Sequence, residues 1–415
     1  MNREIHVHVE LHGETLPVGQ LWSRSRRGRE SASFRYDERW LTHPERFALE
    51  PALILGPGPH HTPTGRALFG ALGDSAPDRW GRALMARAER RVARAEKRPP
   101  TSLTELDYLL RVNDFARQGA LRFSAEPEGP FLSETSGDPV PPLIELPRLL
   151  AAADRLDTDD EEALALLLAP GSSLGGARPK ASVLDTHGGL AIAKFPKQDD
   201  PFDMVRWEAL ALTLAADTGI EVPKWRLVPQ NGSAILLLNR FDRRGKRRKP
   251  FLSAMSMLGA DDRETRTYLE IADNIRRHGA HPANDLTALW RRIAFNVLIS
   301  NTDDHLRNQG FLYAGNEGWV LSPAYDLNPM PADLKPRFLS TAIDLDDTQA
   351  SIELAVETAP YYDLSTSDAR RIAREAAGRI GRWRDVAKRL GLARPAIERM
   401  ASAFEHADQA IAMTF

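Results

Sequence analysis

Residues 5–11 alternate apolar and polar side chains, with Ile5, Val7, Val9 and Leu11 set against His6, His8 and Glu10. That two-residue period is the mark of a half-buried strand. His12-Gly13 supplies a turn, and further strands are predicted over 18–23 and 31–36, joined by the basic tip SRSRRGRE. The chain therefore opens as a small antiparallel sheet. The period turns helical over 69–89, interrupted by Pro77 with Ser75 as the expected N-cap, and again over 103–112, before a closing strand at 119–123. Residues 126–142 are rich in Pro, Gly, Ser and acids with no apolar period, which reads as a linker.

Beyond the linker a helix is expected over 146–156, and the acidic run DTDDEE after it suits a solvated helix start. A hairpin over 181–185 and 190–195 follows, with Leu190, Ile192 and Lys194 on one face by the strand period. A helix over 204–217 comes next, then strands over 225–228 and 234–239 around Asn231-Gly232. After Arg240 the chain is mostly helical. Apolar residues at 286, 289, 290, 293, 297 and 298 draw a stripe over 285–299, and helices are expected over 364–382 and 394–413. The organisation expected is a first N-lobe part over 1–125, a linker over 126–145, a nucleotide-binding part over 146–240 and a helical lobe over 241–415. The fold class expected is α+β, two-lobed and kinase-like.

Length and composition narrow the field. A chain of 415 residues exceeds one compact core. A formal net charge of −2 gives no global pull towards nucleic acid or membrane. The absence of cysteine excludes disulfides, thiolate metal sites and a thiol nucleophile. The opening MNREIHVHVELHGE has no apolar core of a signal peptide, and no apolar run is long enough to cross a bilayer, so a cytoplasmic protein is expected.

The chemistry concentrates in residues 300–329, SNTDDHLRNQGFLYAGNEGWVLSPAYDLNP. Asp303, Asn308 and Asp326 lie around a predicted hairpin. An acid to orient an attacking hydroxyl, then an amide oxygen and a second acid to hold Mg²⁺ on nucleotide phosphates, are the parts that phosphoryl transfer requires. His305 and Arg307 stand close enough to help neutralise phosphate. Lys194, on an apolar strand face, needs an anionic partner, and Glu208 on the following helix is the candidate. Taken singly, each has a plainer reading: a turn residue, a lysine reaching solvent, a surface acid at a helix start. Their order along the chain is that of a kinase. The loop from Ser172 to Lys180 matches neither GxGxxG nor the Walker pattern, yet its glycines and its two cations suit phosphate. Seven of the ten residues 240–249 are basic, fitting either an RNA-docking patch or, by the plainer reading, a solvated loop.

TDDHLRN at 302–308, SPAYDLNP at 322–329, SLGGARPKA at 173–181 and NRFDRR at 239–244 together resemble the HipA family of bacterial serine/threonine kinase toxins. The likeness extends to VGQLW, FRYDERWL, LGDSAPDRWGR and QGALRF nearer the start. It implies Asp303 as the catalytic acid, Asn308 and Asp326 as Mg²⁺ ligands, and Lys194 as the phosphate-contacting lysine. It further implies ATP contacts from Gly175, Gly176, Ala177, Arg178, Pro179 and Lys180, and from the hinge Asn239, Arg240 and Phe241. His305, Leu306, Arg307, Asn308, Tyr325 and Asp326 complete the implied nucleotide site. Ser173, or its neighbour Ser172, is the implied autophosphorylation site. The resemblance implies a helix-turn-helix antitoxin of the HipB type, operator DNA reached through it, and a protein substrate such as an aminoacyl-tRNA synthetase. The rivals are a small-molecule phosphotransferase of related fold and an inactive co-repressor module.

Overall fold

The computed structural model describes residues 2–133, 140–155, 161–168 and 178–415, apart from the single positions 27, 187, 198, 231 and 263. Two compact units emerge, one from residues 1–198 and 229–252, the other from 199–228 and 253–415. The two expected N-lobe parts on either side of residues 126–145 gather in the first unit, apart from 199–228, which falls in the second.

In the first unit, β1 (Asn2–Leu11), β2 (Glu14–Arg26), β3 (Arg29–Tyr36), β4 (Pro59–His61) and β5 (Leu121–Ser124) form a sheet of order β4-β3-β2-β1-β5. The neighbours pair antiparallel, Ile5 opposite Leu21 and Leu21 opposite Phe34. The alternation legible in the sequence is the reason: Val7, Val9, Leu21 and Phe34 are fully buried. Two helices follow. The Arg79–Ala95 helix is capped by Asp78, whose Oδ1 accepts from Gly81 N at 2.7 Å, so the cap expected at Ser75 lies elsewhere. Pro77 breaks the predicted helix into a four-residue turn (Gly70–Gly73) and this longer one. The Glu105–Arg111 helix begins with a Thr104/Asp107 capping box.

The second sheet of this unit holds β6 (Lys180–Leu184), β7 (Leu190–Lys194) and β9 (Ser233–Asn239). β8 (Trp225–Gln230), whose last two residues belong here, continues the order β6-β7-β9-β8. Ala193 lies opposite Ala181 on one side and Leu237 on the other, and Ile235, Leu236, Leu237 and Leu238 are all buried. A short hairpin of β10 (Arg243–Arg244) and β11 (Arg247–Arg248) follows, and β12 (Phe251–Ser253) carries the chain across the boundary.

The second unit is built on the Pro282–Leu298 helix, whose predicted stripe is its core: Leu286, Leu289, Trp290, Ile293, Val297 and Leu298 have no exposed surface. The Met204–Asp217 helix belongs to this unit through Trp207, which lies 6.1 Å from Trp383, itself stacked on Phe404 at 4.6 Å. The single helix expected over 394–413 is two, Arg394–Phe404 and Ala407–Thr414, with His406 capping the second by accepting from Gln409 N. Among the described residues no helix is long and apolar enough to cross a membrane.

β13 (Gly310–Tyr313) and β14 (Trp319–Leu321) make the predicted hairpin, which depends on Gly318. Its φ is +115°, and a Cβ there would stand 2.4 Å from His278 O. Gly318→Ala is therefore expected to lower stability by about 1–3 kcal/mol from backbone strain alone, with the clash adding more. A urea melt checks this, and an unchanged midpoint would rule it out.

Candidate active site

The site grows from the end of the Pro282–Leu298 helix. Ser300 adopts a left-handed backbone, φ 51°, and turns the chain out of the helix. Asp303 is exposed and Asp304 fully buried, so neighbouring carboxylates meet opposite environments. Asp304 Oδ2 accepts the hydroxyl of Tyr268, and Oδ1 accepts Ser340 N at 2.7 Å. Thr341 Oγ1 donates to the Asp304 carbonyl at 2.8 Å. Burial pushes the Asp304 carboxyl up to about 6, against the pull of these donors. Such a group is structural, since its oxygens are already held.

Asn308 ends a 3₁₀ turn over Leu306–Asn308 and is buried. Its Nδ2 donates to the Asp303 carbonyl at 2.7 Å, which commits the amide nitrogen and leaves Oδ1 as the atom for a cation. The Arg307 guanidinium lies on Asp262 at 3.0 Å, and the Arg307 carbonyl accepts Tyr325 O–H at 2.6 Å. Asp326 is the second left-handed non-glycine residue here, φ 58°, a conformation worth noting because sparsely populated backbone concentrates at functional sites. Asn328 Nδ2 donates to its carbonyl at 3.1 Å, and Met330 N donates to Ser300 O at 3.2 Å, closing the loop on its origin. Asp303, Asn308 and Asp326 thus belong to one tied loop system. Lys335, which the sequence reading passed over, donates to the carbonyl of Thr302 at 3.2 Å, one residue from Asp303.

Among the described residues no three His, Asp or Glu side chains gather as a metal cage. An amide oxygen and one carboxylate instead suit Mg²⁺, which keeps waters and phosphate oxygens in most of its shell.

Arg178, Pro179, Lys180, Lys194, Asn239, Arg240 and Phe241 belong to the first unit, whereas Glu208 and His305 belong to the second. Ser172, Ser173, Gly175, Gly176 and Ala177 fall outside the described residues. Lys180 is 3% exposed, and its Nζ meets Asp78 Oδ2 at 2.8 Å, so its charge is committed to that carboxylate rather than offered to phosphate. Pro179 O accepts from Phe195 N at 3.0 Å, and Arg178 is half-buried. Lys194 is half-buried on β7, in register with Lys180 and Leu236. Glu208 is 4% exposed on the Met204–Asp217 helix. Asn239 is exposed at the end of β9, and Arg240 N donates to Leu190 O at 3.0 Å.

The basic run answers to neither sequence reading as a whole. Arg240, Arg243 and Arg248 point inward. Arg240 Nε and Arg243 Nη1 bond to Asp242 at 2.6 and 2.7 Å, and Arg248 bonds to Asp114 at 2.9 Å and to Glu10 at 3.3 Å. The carbonyls of Ala116 and Gly119 take further guanidinium protons, each at 2.9 Å. Two guanidiniums hold the Asp242 carboxyl well below its usual range despite complete burial. Only Arg244, Lys246, Arg247 and Lys249 face solvent. The reason is fixed by geometry: Asp242 lies within the run, but Asp114 and Glu10 are acids that the local sequence does not announce.

The chain has an α+β, two-lobed, kinase-like fold. Residues 172–411 match the HipA-like C-terminal domain and residues 8–108 the HipA N-terminal domain, so this chain belongs to the HipA family. A Sinorhizobium fredii protein called putative kinase Y4mE is 26% identical over 352 residues, 77% of each chain. A Haemophilus influenzae putative kinase is 29% identical over 39% of this chain and 54% of its own, so that match spans about half its length. Among solved structures, the Shewanella oneidensis HipA, HipB and operator DNA complex matches with a TM-score of 0.67 over 99% of this chain and 96% of that one, at 17% identity. At that identity the likeness speaks for the fold.

Proposed function

We propose that this chain is an ATP- and Mg²⁺-dependent serine/threonine protein kinase that acts as the toxin of a toxin–antitoxin pair. The observation that carries the reading is the loop system from Ser300 to Met330, which sets an exposed acid beside an oriented amide oxygen and a second acid. Asp303 would accept the proton of the acceptor hydroxyl, and Asn308 Oδ1 and Asp326 would hold Mg²⁺. Lys194, Arg178 and the backbone at 239–241 would meet the nucleotide. Bound Mg²⁺–ATP supplies the transferable phosphoryl group and screens its charge.

Two relatives called putative kinases support the activity. The neighbour assembled with HipB and operator DNA supports a helix-turn-helix antitoxin as partner, with DNA reached through it. The protein substrate belongs to the class that carries an accessible Ser or Thr, an aminoacyl-tRNA synthetase among them. Autophosphorylation at Ser173 or Ser172 would switch the enzyme off, and phosphate mapped to either serine would exclude a small-molecule phosphotransferase.

Asp326→Asn tests the metal role. Asparagine tolerates the left-handed backbone at this position, so the loop keeps its shape while the charge goes. Phosphoryl transfer is expected to fall by at least about 100-fold, as on losing a charge-stabilising group, and growth arrest on expression to disappear. Arrest that persists undiminished would detach toxicity from phosphoryl transfer.

A further inference from the structure

A chain of hydrogen bonds, buried in all but its first link, runs beneath the candidate site, and every bond in it points the same way. Asn328 N–H donates to Asn301 Oδ1 at 3.2 Å, and Asn301 Nδ2 donates to Asn296 Oδ1 at 3.0 Å. Asn296 Nδ2 donates to the Tyr268 hydroxyl oxygen at 3.0 Å, and that hydroxyl donates to Asp304 Oδ2. Tyr268, Asn296, Asn301 and Asp304 are 0%, 1%, 2% and 0% exposed, so bulk water does not replace a lost member. One end lies two residues after Asp326, and the other lies next to Asp303.

The direction cannot reverse. Each asparagine amide could flip, and the hydroxyl could rotate, but the first donor is a backbone N–H with no capacity to accept. At the far end Asp304 also receives Ser340 N, so it serves as the sink for both arms. A head-to-tail chain with a fixed donor and a fixed acceptor polarises along its length and holds its members in a single arrangement. Removing any middle member leaves a buried donor on one side and a buried acceptor on the other, with a gap between them.

We propose that Tyr268, Asn296 and Asn301 are positioning residues whose directional chain sets the Asp326 turn against the Asp303 loop. The side-chain hydrogen bonds of the three run to one another, to Asp304 and to the backbone of Asn328. Their effect is to keep the cation's two ligand-bearing segments at one spacing, through Asp304 rather than through the metal. The kinetic part of the test rests on the kinase reading, while its exchange part does not.

Tyr268→Phe keeps the ring and deletes the link. Tyr362→Phe is the control, because Tyr362 is equally buried in the same unit and its hydroxyl has no hydrogen-bond partner among the described residues. Backbone amide exchange of residues 325–330 is measured by mass spectrometry in both variants. It is expected to quicken about 10-fold in Tyr268→Phe and to stay at the wild-type rate in Tyr362→Phe. The Mg²⁺ concentration for half-maximal autophosphorylation is expected to rise about 10-fold in Tyr268→Phe, with the rate at saturating Mg²⁺ within about 3-fold of wild type, because excess cation restores the ligand geometry. If Tyr268→Phe does not fold, Asn296→Ala takes its place in both measurements. Unchanged exchange at 325–330, or equal changes in the two tyrosine variants, overturns the proposal. A wild-type chain that gains no phosphate refutes the kinase reading and leaves the exchange result to decide the positioning chain.

Discussion

Asp303→Gln is expected to take up no phosphate from Mg²⁺–ATP over a period in which the wild-type chain is fully modified, as read by intact mass. A positioned general base contributes about 10²–10⁴-fold, and glutamine has no basic oxygen to replace it. The variant isolates chemistry from folding. Asp303 is exposed, and among the described residues its carboxylate takes no hydrogen bond. The bond from Asn308 reaches the Asp303 backbone carbonyl, which the substitution leaves in place. Surface changes of this kind move stability by no more than about 0.5 kcal/mol, so the melting temperature should match wild type. Phosphate uptake at the wild-type rate would remove Asp303 from the role assigned to it.

Asp242→Ala should produce the largest loss of stability. The carboxylate is fully buried and accepts from Arg240, from Arg243 and from Gly119 N, the last at 2.8 Å. Deleting it strands two guanidiniums and a backbone N–H together. Breaking one side of a buried ion pair typically destabilises by about 3–5 kcal/mol, because the remaining charge has no water to turn to. For a unit of this size that corresponds to about 6–20 °C in melting temperature. Thermal unfolding followed by circular dichroism reads it directly. A drop below about 1 kcal/mol would mean that the cluster behaves as an exposed pair does. Asp242→Asn should fall between, since it keeps an acceptor and loses the charge.

The contrast between these two aspartates shows what the sequence makes legible. Strand alternation and the helical stripe at 285–299 report burial of apolar side chains, and both survive in the structure because that driving force is local and periodic. The loop bearing Asp303, Asn308 and Asp326 was legible as a motif. Helix ends were less so: Asp78 displaced Ser75 as the cap, and Glu405-His406 broke a pattern that looked continuous. Charges were read worst. Arg248 and Lys180 look like solvent-facing cations because their partners, Asp114 and Asp78, lie 134 and 102 residues away. No periodicity encodes such a pairing. Asn296 offered a clue, as an amide inside an otherwise apolar stripe, which calls for a buried partner.

The arginine cluster has a consequence for how the chain comes into being. Asp114 leaves the ribosome before its partner Arg248, and 134 residues separate them. At about 5–20 residues per second, that is a wait of roughly 7–27 s in which Asp114 has Arg122 beside it but not Arg248, and the sheet of β1 to β5 lacks its clamp. The first unit therefore cannot mature piece by piece from its N-terminus. Its last staple is set only when β11 arrives, after both of its sheets have been synthesised, and a nascent chain halted before that point keeps an unfinished core.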